Sequence, residues 1–466
     1  MKIPVPAEIL PAAQLGRVHF VGIGGAGLSG IARLMHQQGI AVSGSDANDS
    51  VVVRALRAEG ITVHVGHDAA HVDGVDTVVA TTAAREDNPE IVAAQAKGLR
   101  LWPRSAGLQS VLIGKRVVAI AGTHGKTTTT AMLTVALQEA GLDPTFVIGA
   151  EVATLGTNAR LGTGDIAVVE ADESDGAFLV YTPEIAVVTN VDADHLDHWG
   201  TPEAYAAAFA TFVAGASSSA VVNADDPGSA ALAIATEGVA TAGFVDGADI
   251  QGSALAVVGG GATFEVRSGD TDLGAVSLAV PGTHYAQDAL LALAAGIDLG
   301  ADPALLIRGL ARHRGAKRRM EFVGEAAGVR VYDSYAHHPS EIRGDLQAAR
   351  SLVGSDERLV VCFQPHLVSR TRIFGVEMGE ALGAADEVVV LDVYVAREDP
   401  DPAVTGALVA DAIPLPAAQV RFAPDRGQVV TTLDGIARPG DLVLTLGAGD
   451  VTTLAPELLA VLAERG

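Results

Sequence analysis

The chain has 466 residues, 49% of them hydrophobic but only 4% aromatic, with 53 glycines. That balance suits parallel sheets built from Val, Ala and Leu with glycine turns, and it excludes disorder as the default state. With 31 Lys and Arg against 56 Asp and Glu, the formal charge of −25 excludes a basic nucleic-acid surface, and the single cysteine, Cys362, excludes an intramolecular disulfide or a cysteine-rich zinc site.

The first residues, MKIPVPAEILPAAQLG, put prolines where a secretory signal needs an apolar core. No later run reaches the roughly 18 apolar residues of a membrane span. A soluble, cytoplasmic protein without membrane or nucleic-acid partners is expected, acting as a monomer or homodimer. From Arg17 the pattern alternates strand RVHFVG, helix LSGIARLMHQQ, strand IAVSGSD, helix VVVRALRAEG, strand DTVVATTA and helix NPEIVAAQAKG, with Gly or Asn/Asp between them. This predicts a Rossmann-like α/β domain over 1–113. A second domain, 114–317, opens with VVAIAGTHGKTTTT and an apolar helix that stops at Gly141. It continues through the buried-strand runs DIAVVEAD, EIAVVTNVDADH and SAVVNADD, then adds antiparallel hairpins in ATFEVRSGDTDLGAVSLAV, with VGGGA as a turn. After the basic linker HRGAKRRME a third domain, 318–466, shows strand-to-loop transitions at VRVYDSYAHHPSEI, LVVCFQPH, DEVVVLDVY and DLVLTLGAGD. The expected fold class is α/β in three domains.

Two glycine-rich turns stand out. In the first, Gly22, Gly24 and Gly27 spell G-x-G-x-x-G between a strand and a helix, and Asp46 ends the next strand, where a ribose-binding acid belongs. Such a loop brings backbone N–H groups and a helix N-terminus against a diphosphate. It does not separate a nicotinamide dinucleotide from a UDP-sugar, and tight strand–helix packing without a ligand would use the same glycines. In the second, Gly122, Gly125, Lys126 and Thr127 give G-x-x-G-K-T, a phosphate-binding loop shortened at Ile120. Lys126 is placed to reach β- and γ-phosphates, Thr127 to ligate Mg²⁺, and the backbone of residues 122 to 128 to form an anion nest. Only five lysines occur in the chain, so one inside a glycine loop is conspicuous.

Acids follow at strand ends: Glu170, Asp172 and Glu173 in VVEADESD, and Asp192 and Asp194 with His195 in NVDADHLDHW. Mg²⁺ prefers hard oxygen ligands, which makes Thr127 with Glu170 a sensible pair and His195 an unusual nitrogen donor. Elsewhere the residues alone favour bland readings: His337 and His338 as a solvated turn, with Arg318 and Arg319 open to being linker charges, Arg370 and Arg372 a solvated helix start, and LGAGD a βα turn.

Taken in chain order, GIGGAGLSG, GTHGKTTT, EADESD, TNVDADHLDHW, PGTHYAQDAL, RRMEF, DSYAHHPSEI, FQPHLVSRT, LDVY and GAGD resemble the bacterial Mur ligases over almost the whole chain. Among them the match is to the branch that joins L-alanine to UDP-N-acetylmuramic acid. The resemblance implies that the first domain holds the UDP-sugar through Gly22, Gly24, Gly25, Ala26, Gly27 and Asp46. It implies that the second binds ATP through Gly122, Thr123, His124, Gly125, Lys126, Thr127 and Thr128, and that the third brings in the amino acid near His337, His338 and Arg370. Lys126 would steady the transferring phosphoryl group, Thr127 and Glu170 would hold one Mg²⁺, and His195 would help hold a second. Lys126, His195 and Arg370 are thus the residues expected to carry the chemistry.

Three segments depart from the family pattern. The family's PG-x-H-N reads PGTHY here, which passes the adenine contact to His284 or Tyr285; an arginine usual after FQPH is Leu367, leaving Arg370 for the acyl phosphate or alanine carboxylate; and Ser334 and Ala336 replace a common Asp and Gly. A sibling ligase for another amino acid or peptide is the rival within the family. An NAD-dependent dehydrogenase, the rival outside it, would explain Gly22 to Asp46 but not Lys126.

Overall fold

The structure is a computed structural model, and it describes residues 3–81, 84–396 and 398–465. The end of the expected strand DTVVATTA, Thr82 and Ala83, lies outside the described residues. The chain forms two compact units, one of residues 1–253, 265–276 and 287–312, the other of residues 254–264, 277–286 and 313–466. Among the described residues no helix is long and apolar enough to cross a membrane.

The first sheet comprises β1 (Val18–Val21), β2 (Val42–Asp46), β3 (Thr62–Val65), β4 (Thr77–Ala80) and β5 (Arg100–Pro103), all parallel in the order β3-β2-β1-β4-β5. Helices α1 (Ala26–Gln37), α2 (Val51–Ala58), α3 (Pro89–Ala96) and α4 (Arg104–Leu112) alternate with the strands. Every residue of β1 and β4 is buried, as a parallel strand covered on both faces requires. The strand order reverses between β1 and β4, so the glycine loop after β1 opens at the switch point where such sheets hold ligands.

The second sheet begins with β6 (Arg116–Ala121), β7 (Thr145–Val152), β8 (Thr157–Arg160), β9 (Ile166–Glu170), β10 (Ile185–Val188), β11 (Ser219–Asn223) and β12 (Val239–Gly243). Strand β6 lies between β9 and β10, placing the second glycine loop at the centre of the carboxyl edge. Strands β13 (Ile250–Val258), β14 (Gly261–Ser268) and β15 (Thr271–Leu278) follow as neighbours. The turn expected at VGGGA is present, with Gly259 at φ 62° and Gly260 at φ 83°, the left-handed pair of a two-residue hairpin turn.

Helix α5 (Lys126–Glu139) starts from Gly125, whose φ of 78° only glycine adopts without strain. Four consecutive β-branched threonines, Thr127 to Thr130, are poor helix formers and all are buried. The Thr130 hydroxyl is absorbed by the backbone one turn back, donating to the Lys126 carbonyl at 2.7 Å, as the Thr134 hydroxyl further along does to the Thr130 carbonyl at 2.7 Å. The helix ends in a Schellman motif at Gly141, with Gly141 N–H bonded to Gln138 O and Leu142 N–H to Leu137 O, both at 3.0 Å. Fully buried Met132, Leu133 and Leu137 each contribute about 1.5–3 kcal/mol.

Further along come α6 (Leu196–Trp199), α7 (Pro202–Ala214), α8 (Pro227–Ala235), α9 (Thr283–Asp298) and α10 (Pro303–Leu310). Helix α10 packs on α5 so closely that a Cβ on Gly309 would lie 2.5 Å from Ala136 Cα. Arg308 Nε meets Glu139 at 2.5 Å, and Arg312 pairs with the same carboxylate.

In the second unit, β16 (Glu321–Ala326) runs antiparallel to β17 (Val329–Ser334), and β18 (Leu359–Phe363), β19 (Glu387–Val390), β20 (Val420–Phe422) and β21 (Leu442–Leu446) complete a sheet ordered β16-β17-β21-β18-β19-β20. Helices α11 (Pro339–Ser351) and α12 (Val368–Leu382) pack on it. Cys362 is fully buried in β18, and burial pushes its thiol pKa up.

Candidate active site

The first loop is built by its glycines. Gly22 has φ 82°, and a Cβ there would lie 2.7 Å from Thr81 Cγ2. The Ser45 carbonyl at the end of β2 accepts from Gly22 N–H (2.9 Å) and Ile23 N–H (3.0 Å), and Asp46 Oδ2 accepts from Gly24 N–H (2.9 Å). Asp46 Oδ1 also accepts from Asn48 N–H (3.1 Å), so the expected ribose-binding acid is held against the loop. Gly25 caps α1, with Ala26 as its first residue and Gly27 as its second.

Behind this loop the structure reveals a buried polar cluster that sequence reasoning passed over. Glu90 of α3 accepts from Ser45 Oγ (2.6 Å), His67 Nδ1 (2.8 Å) and His71 Nδ1 (2.7 Å), with His19 Nε2 at 3.4 Å. Burial pushes its carboxyl up, but those four groups outweigh burial and hold it at about 2. Ser45 thus joins the cluster through its hydroxyl and the loop through its carbonyl.

In the second loop, Gly122 (φ 143°) passes so close to Thr189 that any Cβ would overlap the hydroxyl, and a Cβ on Gly125 would lie 2.5 Å from Asp288 Oδ1. The residues after β10 pin the loop from the side. Asn190 Oδ1 accepts from His124 N–H (2.9 Å), Asn190 Nδ2 and the Thr189 hydroxyl donate to His124 O, and the Thr123 hydroxyl donates to Asp192 O (2.8 Å). By helix geometry the first-turn N–H groups of α5 have no carbonyl partner within the helix, which with the dipole makes an anion cradle.

Lys126 Nζ donates to Gly122 O (2.5 Å) and Thr123 O (3.1 Å) and pairs with Glu173 at 2.8 Å. Burial lowers the lysine pKa, but the carboxylates of Glu173, Asp172 and Glu170 outweigh it and the net shift is upward. Glu173 is raised to about 7, first by burial and then by Asp172, with Lys126 opposing. The two partners do not contradict each other: one ammonium serves several carboxylates, and the most buried acid takes up the proton.

Thr127 and Thr128 are buried at the start of α5, and Glu170 ends β9 opposite Ile120 of β6. Glu170 Oε1 accepts from Gly149 N–H at 2.5 Å. His195, at φ 51°, lies 3.5 Å from Asp194 and 3.8 Å from Glu173, so it belongs to the same acid cluster as Lys126. The sequence marked Glu173 only as one acid among several. Its pairing with the loop lysine depends on a fold-back that spacing does not show.

Arg104, the first residue of α4, went unremarked in the sequence. Its Nη2 donates to Asp172 Oδ2 at 2.6 Å, and its Nη1 would be 2.8 Å from a Cβ on Gly27. Burial lowers the guanidinium pKa, but Asp172, Tyr181 and Asp175 reverse this and raise it. Asp172 is held well below the usual carboxylate range, because Arg104 and Lys126 outweigh its burial. A position just past a parallel strand was the available signal, and it depends on recognising β5.

In the second unit the bland readings of the paired histidines and arginines give way. His338 is the N-cap of α11, its Nδ1 accepting from Ser340 N–H (3.4 Å) while Glu341 Oε2 accepts from His338 N–H (3.3 Å), a capping box. His337 Nδ1 bonds Tyr335 O (2.8 Å), and its ring packs edge-on to His366 at 5.7 Å. Burial first and Arg370 second lower the His337 pKa to about 3. Arg370 is itself buried in the first turn of α12, whereas Arg372 is exposed and pairs with Asp401. Leu367 caps α12 at φ 68°.

His284 and Tyr285 pack ring to ring at 4.1 Å, and burial, then Arg319, lower the His284 pKa to about 4. Arg318 is no free linker charge: it donates to Gly447 O (2.5 Å), lies 3.3 Å from Asp333 and stacks 4.8 Å from the Tyr335 ring, fastening the LGAGD loop. Beside that loop, at the carboxyl ends of β18, β19 and β21, a cavity of about 360 Å³ is lined by Gln364, Asp392, Tyr394, Arg426 and Asp450 among others.

Comparison with known proteins accounts for both loops together. Residues 17–116 match the family model described as Mur ligase family, catalytic domain; 120–296 match the Mur ligase middle domain; and 318–449 match the Mur ligase, glutamate ligase domain. A Nocardioides protein named UDP-N-acetylmuramate--L-alanine ligase is 61% identical, covering 99% of this chain and 100% of its own. A Thermobifida fusca protein of the same name is 49% identical, at 99% and 100% coverage. The crystal structure of UDP-N-acetylmuramate-alanine ligase from Thermotoga maritima superposes with a TM-score of 0.82 at 29% identity, covering 97% of this chain and 100% of that one. A murein peptide ligase from Psychrobacter arcticus gives 0.73 at 25% identity, with 96% and 99% coverage. With family models spanning most of its length and near-full-length relatives at this identity, the chain belongs to the Mur ligase family.

Proposed function

We infer that this chain is an ATP-dependent ligase that forms an amide bond between L-alanine and the lactyl carboxylate of UDP-N-acetylmuramic acid, in cytoplasmic synthesis of peptidoglycan precursors. The observation that carries the reading is the presence of two anion cradles in one compact unit, Gly22–Gly27 and Gly122–Thr128. The names of the chain's near-full-length relatives supply the substrates. One nucleotide donates a phosphoryl group and another carries the acid that receives it, so two cradles are needed. We assign the sugar nucleotide to residues 1–113, ATP to 114–317 and the amino acid to 318–466, with a monomer or homodimer as the working assembly.

A carboxylate is a poor acyl donor because its leaving group would be oxide. In the proposed reaction a lactyl carboxylate oxygen attacks the γ-phosphorus, ADP leaves, and an acyl phosphate results. The amine of L-alanine then adds to the acyl carbon, loses a proton, and phosphate departs. Positioning and charge neutralisation supply most of such catalysis. Lys126, tethered over the loop by Gly122 O and Glu173, exchanges those contacts for phosphate oxygens. The first-turn N–H groups of α5 and residues Thr123, His124 and Thr128 cradle the remaining phosphates, and His284 is assigned to the adenine. His337, His338 and Arg370 are assigned to the amino acid, with Arg370 as the cation for its carboxylate or for the acyl phosphate.

A hard divalent cation fits the oxygen donors Thr127 and Glu170, with His195 and the acids around it as a second group. Mg²⁺ bound there would neutralise charge on the phosphoryl oxygens.

The test is ADP formation with Mg²⁺, UDP-N-acetylmuramic acid and a panel of amino acids. Turnover is expected only with all substrates present and is expected to be fastest with L-alanine. Full-rate ADP release without an amino acid would overturn the reading, and a preference for glutamate or a tripeptide would move the chain to a sibling activity.

A further inference from the structure

We propose that Arg104 is the binding site for the carboxylate of the sugar nucleotide, and that Asp172 holds that place until the substrate arrives. The inference rests on the ligase reading above and adds a residue that no loop motif contains.

Arg104 stands between the two cradles. On one side its guanidinium lies against Gly27, the last glycine of the first loop, where a Cβ would come within 2.8 Å of Nη1 and 3.0 Å of Cδ. Gly27 therefore leaves room for an arginine as well as for a helix start. On the other side Nη2 reaches Asp172 Oδ2 at 2.6 Å. Asp172 directly precedes Glu173, the acid that holds Lys126 at 2.8 Å. Consecutive carboxylates thus occupy the two cations that face the two cradles.

The chemistry requires one group to span this interval. A carboxylate carried by a nucleotide in the first cradle must come within about 3–3.5 Å of the phosphorus that Lys126 steadies. Arg104 is permanently charged and presents a planar fork that matches a carboxylate. Among the described residues its side chain makes one hydrogen bond, to a carboxylate oxygen, so Asp172 marks where a substrate carboxylate would sit. Both side chains are reachable, at 25% and 32% exposed. The exchange makes and breaks no covalent bond: the incoming carboxylate takes the guanidinium, and Asp172 turns away.

Competition binding separates a carboxylate site from a diphosphate site, using UDP-N-acetylmuramic acid and UDP-N-acetylglucosamine, which shares the diphosphate and lacks the lactyl carboxylate. Wild type should prefer the acid, and Arg104→Ala should reduce that preference at least 10-fold, mainly by weakening the acid, with ATP affinity within twofold of wild type. Arg104→Lys should restore part of the preference. Asp172→Asn should tighten the acid severalfold and leave UDP-N-acetylglucosamine unchanged. Equal weakening of both sugar nucleotides in Arg104→Ala would make Arg104 a diphosphate ligand and refute the proposal, as would an unchanged preference. Weaker acid binding in Asp172→Asn would remove the placeholder role. Failure of wild type to bind the acid at all would instead sink the ligase reading itself.

Discussion

Replacing Glu173 with glutamine should make the first unit more stable, and increasingly so as pH rises. In the folded chain this carboxyl is raised from 4.5 to about 7, burial being the first cause and Asp172 the next. A raised acid binds its proton more tightly folded than unfolded. Its contribution to stability is therefore fully present below pH 4.5 and is lost as pH climbs through 7. At about 1.4 kcal/mol for each pH unit between the two values, the loss is about 3 kcal/mol by pH 8. Glutamine keeps the shape and cannot ionise, so the difference between variant and wild type should be near its minimum at pH 5 and grow by roughly that amount. Groups that titrate alike in both proteins cancel. Both tryptophans, Trp102 and Trp199, lie in the first unit, and Trp199 Nε1 donates to the Glu173 carbonyl at 3.0 Å. Urea unfolding followed by tryptophan emission at pH 5, 6, 7 and 8 reads the unit that matters. A difference that stays constant across those four values would refute the reasoning.

Lys126→Ala should lower turnover by at least roughly 100-fold, the scale of losing one preorganised charge stabiliser, and a variant within threefold of wild type would remove the lysine from the mechanism. Asp46→Ala removes the acceptor for Gly24 N–H; UDP-sugar affinity should fall about 10-fold or more by titration calorimetry while ATP affinity stays put, and matched losses would merge the two cradles. Cys362, buried in β18 with its thiol pKa raised, should react with a thiol reagent only as fast as the second unit unfolds; rapid labelling of the native protein would contradict its placement.

Elements built from continuous apolar runs were legible from composition alone: VVAIA, IAVVE, IAVV and LVVCF all became buried central strands. Two of the strands that escaped notice were short or peripheral. Thr62–Val65 buries one of its four residues, and Glu321–Ala326 runs along an edge with none fully buried, so neither shows the apolar signal of a central strand. Both glycine loops were legible because their geometry is local, a few residues whose backbone angles dictate the letters. The charges around them were not. Glu173 meets Lys126 and Arg104 meets Asp172 only after distant segments fold together, and a lone arginine after PRSAGL's proline carries no pattern of its own. His337 and Arg370 looked like solvated charges for the same reason, yet Arg370 is buried and His337 partly buried in one neighbourhood.

The packing of α10 on α5 sets a timetable for the ribosome. The helix that follows the second glycine loop is finished at Glu139, but the surface that closes over Ala136 arrives only with Gly309. At roughly 5–20 residues per second, the stretch between them takes on the order of ten seconds or more to synthesise. Throughout that interval the nascent helix shows an apolar face that its own sheet does not cover, and the Glu139 carboxylate waits for Arg308 and Arg312. A chain released before residue 303 would keep every residue of both glycine loops and still leave α5 without the helix that closes over it, a natural substrate for chaperones and proteases.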